Sequence, residues 1–145
     1  MKTAISQSMK RFNHLTGEIG AVYHAAALKL GLSDSVMQIL YTICDCGDSC
    51  LLADICRLTG MAKQTVNSAI RNLERDGIVR LEAVNSKSKR VLLTKQGLAY
   101  TENTVDKIIR VENEKFDAWS DEEVNQYLLL TERYKNALIE KTEAL

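Results

Sequence analysis

The chain has 145 residues, 46% hydrophobic and 26% charged, with nineteen basic residues against nineteen acidic ones. That length holds one ordinary domain with a real core, or a small domain with an oligomerisation element, and the composition excludes wholesale disorder. No run approaches the about eighteen uninterrupted apolar residues of a membrane span and Met1-Lys2-Thr3 opens no secretory leader, so the expected setting is the cytoplasm, without a membrane partner.

The first thirty residues place apolar or small side chains at Ile5, Met9, Phe12, Thr16, Ile19, Tyr23, Ala26 and Leu30. Gaps alternating between four and three predict one face of a long helix, which Gly31 ends. Ser33 caps a second helix with Val36, Ile39, Leu40 and Ile43 on its buried face, and Gly47-Asp48-Ser49 closes it as a loop. A short helix follows through Leu52, Ile55 and Leu58, broken at Thr59-Gly60. The next helix runs from about Ala62 to Asp76, with Val66, Ile70 and Leu73 inward.

Beyond Gly77 the period changes to two. Val79, Leu81 and Ala83 alternate with Arg80 and Glu82 as a half-buried strand. Asn85-Ser86-Lys87-Ser88 reads as a turn and Lys89 to Thr94 as the returning strand. Thr94 then caps one long helix predicted to reach about Trp119. Ser120 with Glu123 forms a capping box for the last helix, whose inward set is Val124, Tyr127, Leu128, Thr131, Tyr134 and Leu138. The complete absence of proline, where average usage would give about seven, suits long unbroken helices. The expected fold is therefore mainly α with a small β-hairpin: a winged helix-turn-helix over residues 33–95, flanked by a helical dimerisation region at 1–32 and 96–145.

Zero net charge argues at first sight against a nucleic-acid partner, but the charge is unevenly placed. Residues 1–32 hold four basic and one acidic side chain, and residues 33–56 hold none and four. Residues 57–95 hold nine basic and three acidic, a local excess of +6, and residues 96–145 hold six and eleven. Phosphate attraction follows the local field, not the total. Two short helices around a tight break, followed by a hairpin, present the second helix to a DNA major groove. With Val66, Ile70 and Leu73 buried, the opposite side of that helix shows Lys63, Gln64, Thr65, Asn67, Ser68 and Arg71. Gln64 and Asn67 carry amides able to pair bidentately with adenine, the Thr65 methyl can meet a thymine methyl, and Lys63 and Arg71 suit phosphate or guanine. Ser68 is short enough for close approach. The hairpin tip adds Lys87, Lys89 and Arg90 for the neighbouring backbone or minor groove.

From Leu51 to Gly97, "LLADICRLTGMAKQTVNSAIRNLERDGIVRLEAVNSKSKRVLLTKQG" resembles the MarR family of bacterial transcription regulators, most closely in "LERDGIV" and "LLTKQG". The resemblance implies a homodimer joined by the first and the last two helices, a repressor role on a pseudo-palindromic operator in double-stranded DNA, release by a small-molecule effector or an oxidant, and no enzymatic activity or cofactor. Long apolar stripes at both chain ends, too extensive for one small winged helix to cover, point to the same dimer. Its recognition helices would stand about 34 Å apart. Two positions depart from the pattern. Where the family has Asp-x-Arg at the wing tip this chain has Asn85-Ser86-Lys87, in a wing about two residues shorter, and lysine lacks the planar fork of arginine. Ala62 stands where a Ser or Asn cap is common.

Four cysteines fall within thirteen positions: Cys44, Cys46, Cys50 and Cys56. Cys44 and Cys56 are in helical register with Leu40 and Leu52 and read as small core residues, with Cys46 and Cys50 flanking the loop. Cys44, Cys46 and Cys50 are also candidates for a thiol sensor, either as ligands of a soft metal or as a redox pair, although C-x-C-x3-C is not a standard zinc spacing. An alternative function is thus a helical metal-binding or protein-interaction module that uses the cysteine cluster and never contacts DNA. His14 and His24 lie nearly on one helical face and read as surface or interface groups more readily than ligands. No phosphate-cradling loop, HExxH or nucleophile elbow is present to support catalysis.

Overall fold

The computed structural model describes all residues, Met1–Leu145. Seven helices and three strands follow in the order α1 (Gln7–Lys29), α2 (Asp34–Asp45), β1 (Ser49–Leu51), α3 (Leu52–Thr59), α4 (Lys63–Arg75), β2 (Val79–Ala83), β3 (Lys89–Leu93), α5 (Lys95–Glu102), α6 (Val105–Asp117) and α7 (Asp121–Thr142). The chain divides into two compact units, Met1–Ile108 and Ile109–Leu145.

The first unit is a winged helix. Its core is built from Ile39, Leu40 and Ile43 of α2, Ile55 of α3, Val66 and Ile70 of α4, Val79 and Val91 of the sheet, and Val105. All of these are at most 2% exposed, so α4 turns its apolar stripe fully inward and leaves its polar side outside. Side-chain caps fix the helix starts. Ser6, Ser33 and Thr94 each accept a hydrogen bond from a backbone N–H three residues on, in α1, α2 and α5. The break between α3 and α4 is made by Gly60 at φ 68°, a left-handed conformation that ends α3 without a Cβ clash.

Two expectations need correction. The loop after α2 is followed by a third strand: β1 pairs antiparallel with β3 through Ser49–Leu92, Cys50–Val91 and Leu51–Arg90, giving the sheet order β1-β3-β2. Three residues cannot show a period, and β1 exists because β3 offers it an edge. The long helix expected from Thr94 to Trp119 is two helices. At the break, Asn103 Nδ2 donates to the Ala99 carbonyl and Thr104 Oγ1 to the Tyr100 carbonyl, at 2.9 and 2.8 Å. Such back-bonding by short polar side chains competes with the helical ladder and turns the chain.

In the second unit, α7 begins with both halves of the Ser120–Glu123 capping box in place. Phe116, Trp119 and Tyr127 stack edge to face, with ring centroids 5.6 to 6.2 Å apart. No residue of α7 is buried, and Leu128, Leu129, Leu130, Leu138 and Ile139 remain exposed. In the first unit, Ile5 ahead of α1 and Ile19, Val22 and Leu28 within it are exposed likewise. Both sets are larger than isolated surface apolar residues require. No helix is long and apolar enough to cross a membrane.

Candidate nucleic-acid interface

The polar side of α4 resolves into two rows. Lys63, Asn67 and Arg71, four residues apart, line one wall of a groove of about 670 Å³ whose other wall is the wing, Asn85 to Lys89. Leu51, Leu52 and Cys56 floor it. Gln64, Thr65 and Ser68 face the other way, into a shallower depression of about 420 Å³ shared with Ser33, Ser35 and Val36 at the start of α2. Asn72 continues this second row one turn beyond Ser68. It was not among the residues singled out from the sequence, although the four-residue step from Ser68 signals it. The i, i+4 spacing thus sorts the polar side chains of α4 into a wing-facing cationic row and an outer amide and hydroxyl row.

Ala62 starts α4 with no side-chain cap, so its first backbone N–H groups are left for other acceptors. The wing turn is closed by Asn85, whose Oδ1 accepts from the N–H groups of Lys87 and Ser88 at 2.9 and 3.0 Å. That Asx-type turn leaves the Lys87 side chain exposed at the tip. Lys89 opens β3 and is also exposed. Arg90 lies elsewhere: it is half-buried in the central strand, opposite Glu82 on one side and Leu51 on the other. Its charge is felt by Cys50 of β1. The structure therefore brings Lys63, Asn67, Arg71, Lys87 and Lys89 around one groove, with Arg90 one step further along β3 and outside that lining.

The cysteines also part company. Cys50, expected beside a loop, is 2% exposed in the middle of β1, whereas Cys46 is exposed at the end of α2, and Cys44 and Cys56 are half-buried. The Cys50 thiol donates to the Cys46 sulfur at 2.9 Å. Burial first, and that hydrogen bond second, push the Cys50 thiol up to about 12. Burial, reinforced by Asp48, raises the Cys44 thiol as well. The structure gathers no group of three His, Cys, Asp or Glu side chains that could hold a metal ion. His24 does not approach a cysteine; its Nδ1 lies 2.8 Å from the Asp34 carboxylate, joining α1 to the start of α2.

Residues 30–90, which contain both walls of the groove, match the family model for the MarR family. The fold of MarR regulators extends over nearly the whole chain. The structure of NMB1585, a MarR family regulator from Neisseria meningitidis, matches with a TM-score of 0.80 at 18% identity, covering 96% of this chain and 98% of that one. MepR from S. aureus, solved as a DNA complex, matches with a TM-score of 0.70 at 18% identity over 93% and 99% of the two chains. Sco3205 from Streptomyces coelicolor, a MarR family transcriptional regulator in complex with DNA, matches with a TM-score of 0.70 at 13% identity over 95% and 92%. No curated protein matches the chain by sequence. In MarR terms, α3 and α4 are the helix-turn-helix and β2–β3 the wing.

Proposed function

We propose that this chain is a transcription regulator that binds a pseudo-palindromic site in double-stranded DNA as a homodimer and represses until a small ligand or an oxidant releases it. One observation carries the reading: the cationic row of α4 and the lysines of the wing share a groove within the segment of +6 charge. Major-groove insertion of α4 would give Gln64, Thr65 and Asn67 the base edges and Lys63, Arg71, Lys87 and Lys89 the phosphates or the minor groove. The two similar regulators solved with DNA, MepR and Sco3205, support the same docking. The exposed leucine and isoleucine faces of α1 and α7 support a second copy as the partner that covers them.

A gel shift with fragments from upstream of its own operon, across a salt series, tests the reading. Specific binding should weaken steeply with salt as phosphate contacts release counterions. Equal affinity for every fragment, or a flat salt response, would end it. Sedimentation at micromolar concentration tests the dimer; a monomer there removes it.

A further inference from the structure

The tripeptide Val-Asn-Ser occurs twice in the chain, as Val66-Asn67-Ser68 and as Val84-Asn85-Ser86. The two asparagines stand on opposite walls of the groove between α4 and the wing, in opposite backbone settings. Asn67 lies inside α4, where the Ser68 N–H is committed to the helical ladder and the backbone is fixed. Asn85 lies in the exposed wing turn. Its Oδ1 accepts from the N–H groups of Lys87 and Ser88 at 2.9 and 3.0 Å, so its carboxamide is folded over the backbone that follows it. The Ser86 N–H, which comes before those two donors in the chain, donates to no group. No hydrogen bond holds the Asn85 Nδ2 either.

The turn thus gathers the parts of an intramolecular acyl transfer: a carbonyl carbon, two donors on its oxygen, an uncommitted neighbouring nitrogen and a leaving group in water. N–H groups already aimed at a carbonyl oxygen stabilise the negative charge that addition places there. Attack within one short stretch of chain also avoids the entropy cost of an encounter. The same three residues in α4 have neither a free nitrogen nor a backbone able to fold back.

We propose that Asn85 is a self-modifying site, which closes onto the Ser86 nitrogen, loses ammonia, and opens to an aspartyl or isoaspartyl residue that weakens the wing's hold on DNA. The Ser86 nitrogen gives its proton to solvent and attacks Asn85 Cγ. An N–C bond forms, and the charge on Oδ1 is held by the Lys87 and Ser88 N–H groups. The Cγ–Nδ2 bond breaks, and Nδ2 leaves as ammonia with a proton from water. Water then opens the succinimide ring. Cleavage of the new N–Cγ bond leaves an aspartyl residue. Cleavage at the original backbone carbonyl leaves the isoaspartyl isomer, with one methylene added to the main chain. The net change is one water consumed and one ammonia released, with no oxidant, reductant or second protein.

The consequence for DNA rests on the function proposed above. Either product places a carboxylate two residues from Lys87, in the groove that Lys87 and Lys89 line. The added anion offsets one cation where the wing meets phosphate.

The experiment incubates the full-length protein for several days in warm neutral buffer, folded and, in parallel, unfolded in guanidinium chloride. Trypsin places Asn85 in the peptide Leu81–Lys87 and Asn67 in Gln64–Arg71. In the folded protein the expected result is ammonia release with aspartyl and isoaspartyl forms of Leu81–Lys87, formed faster than in the unfolded chain, and an unchanged Gln64–Arg71. In the unfolded chain the two peptides should convert at comparable rates, because their Val-Asn-Ser cores are the same. Ser86→Pro removes the attacking N–H and should abolish conversion at Asn85 in both states while leaving that of Asn67 in the unfolded chain. Slower conversion of Leu81–Lys87 in the folded protein than in the unfolded one would overturn the chemistry. So would equal conversion of both peptides in the folded protein, or an aspartyl product with no isoaspartyl form. Anisotropy titrations should give the aged protein and fresh Asn85→Asp a salt slope smaller by about 1 than that of the fresh protein, with weaker binding. Unchanged slopes and affinities in both would overturn the effect on DNA. A fresh protein with no DNA binding at all would instead overturn the function proposed above, leaving the site established by its isoaspartyl peptide.

Discussion

Gly97 faces the carbonyl group of Ile78 so closely that a Cβ added to it would collide with the carbonyl oxygen and would lie 3.0 Å from the carbonyl carbon and 3.3 Å from Leu93 Cδ2. Thr94 tightens the same junction: its Oγ1 donates to the Gly77 carbonyl at 2.6 Å and accepts from Gly97 N–H at 2.9 Å. The end of the recognition helix, the start of β2 and the start of α5 are thereby tied at one point. Gly97→Ala should destabilise the protein by about 1–3 kcal/mol, the usual cost of forcing atoms into a packed site. The sign is the test, because alanine in an exposed helix interior gains about 1 kcal/mol over glycine. Gly20→Ala in α1, where nothing lies within 4 Å of the new Cβ, should show that gain. Denaturant midpoints of the two variants that moved in the same direction would refute the close approach.

Ala62 invites the opposite change. It takes the N-cap position of α4 with extended φ and ψ of −61° and 140°, but offers no side-chain acceptor. Ala62→Ser supplies one and should stabilise the fold by about 1 kcal/mol, read as a raised midpoint with an unchanged denaturant slope. An unchanged midpoint would mean that the first N–H groups of α4 are already satisfied.

These two glycine and cap positions also show where the sequence was legible. Ser33, Thr94, Ser120 and Glu123 announced helix starts because capping depends on residues three apart in the chain, and all four act as expected. The inward set of α4 was legible because its period is local. Cys50 was not: its burial comes from pairing with Val91, far along the chain, and three residues of strand leave no period to read. The break after α5 was hidden for another reason. Asn103 and Thr104 are tolerable inside a helix, and only their side chains' choice to bond backward turned the chain. Within the candidate site, the residues of α4 were visible as one polar side, but its division into two rows required the wing's position.

The capping box makes a pH-dependent statement about α7. The Glu123 carboxyl is held below its ordinary value, first by the Ser120 backbone N–H and second by the Ser120 hydroxyl. A carboxyl whose folded value is depressed contributes stability that is present above the unfolded value and is lost as pH falls through the folded one. Carboxyl chemical shifts should therefore show Glu123 titrating below the ordinary range of a glutamate. Ser120→Ala should return it toward the ordinary range, and Glu123→Gln should flatten the acid limb of α7 helicity. Because alanine keeps the backbone N–H, that return should be partial, and an unchanged Glu123 titration in Ser120→Ala would leave the backbone N–H as the sole cause.

Thiol burial predicts a labelling order. The Cys50 thiol, pushed up to about 12, is almost wholly un-ionised at neutral pH, and its sulfur is covered by the sheet. Alkylation needs the thiolate and access to it. In the folded reduced protein, iodoacetamide should modify Cys46 while Cys50 reacts only at the rate of opening or after denaturant is added. Cleavage before aspartate puts Cys46 on the peptide Asp45–Gly47 and Cys50 on Asp48–Ala53, which distinguishes the two sites. Equal labelling rates for Cys46 and Cys50 would place β1 outside the sheet.

Cationic and amide side chains of the α4 surface and the wing predict two kinds of defect in DNA binding. Arg71 and Lys87 stand on opposite walls of one groove, both exposed, and no ion pair engages either cation. Arg71→Ala or Lys87→Ala should weaken binding to all sequences and each reduce the salt slope by about 1, the mark of a lost phosphate contact. Gln64 and Asn67 have amides suited to base edges. Gln64→Ala and Asn67→Ala should each cost about 1–3 kcal/mol on the preferred site, leave nonspecific affinity and the salt slope in place, and relax preference at particular base pairs. Anisotropy titrations on the preferred site and on single-base variants, at two or more salt concentrations, separate the outcomes. Four variants with the same loss on every sequence would show that the groove binds backbone alone, and the specificity would then have to come from the shape of the duplex.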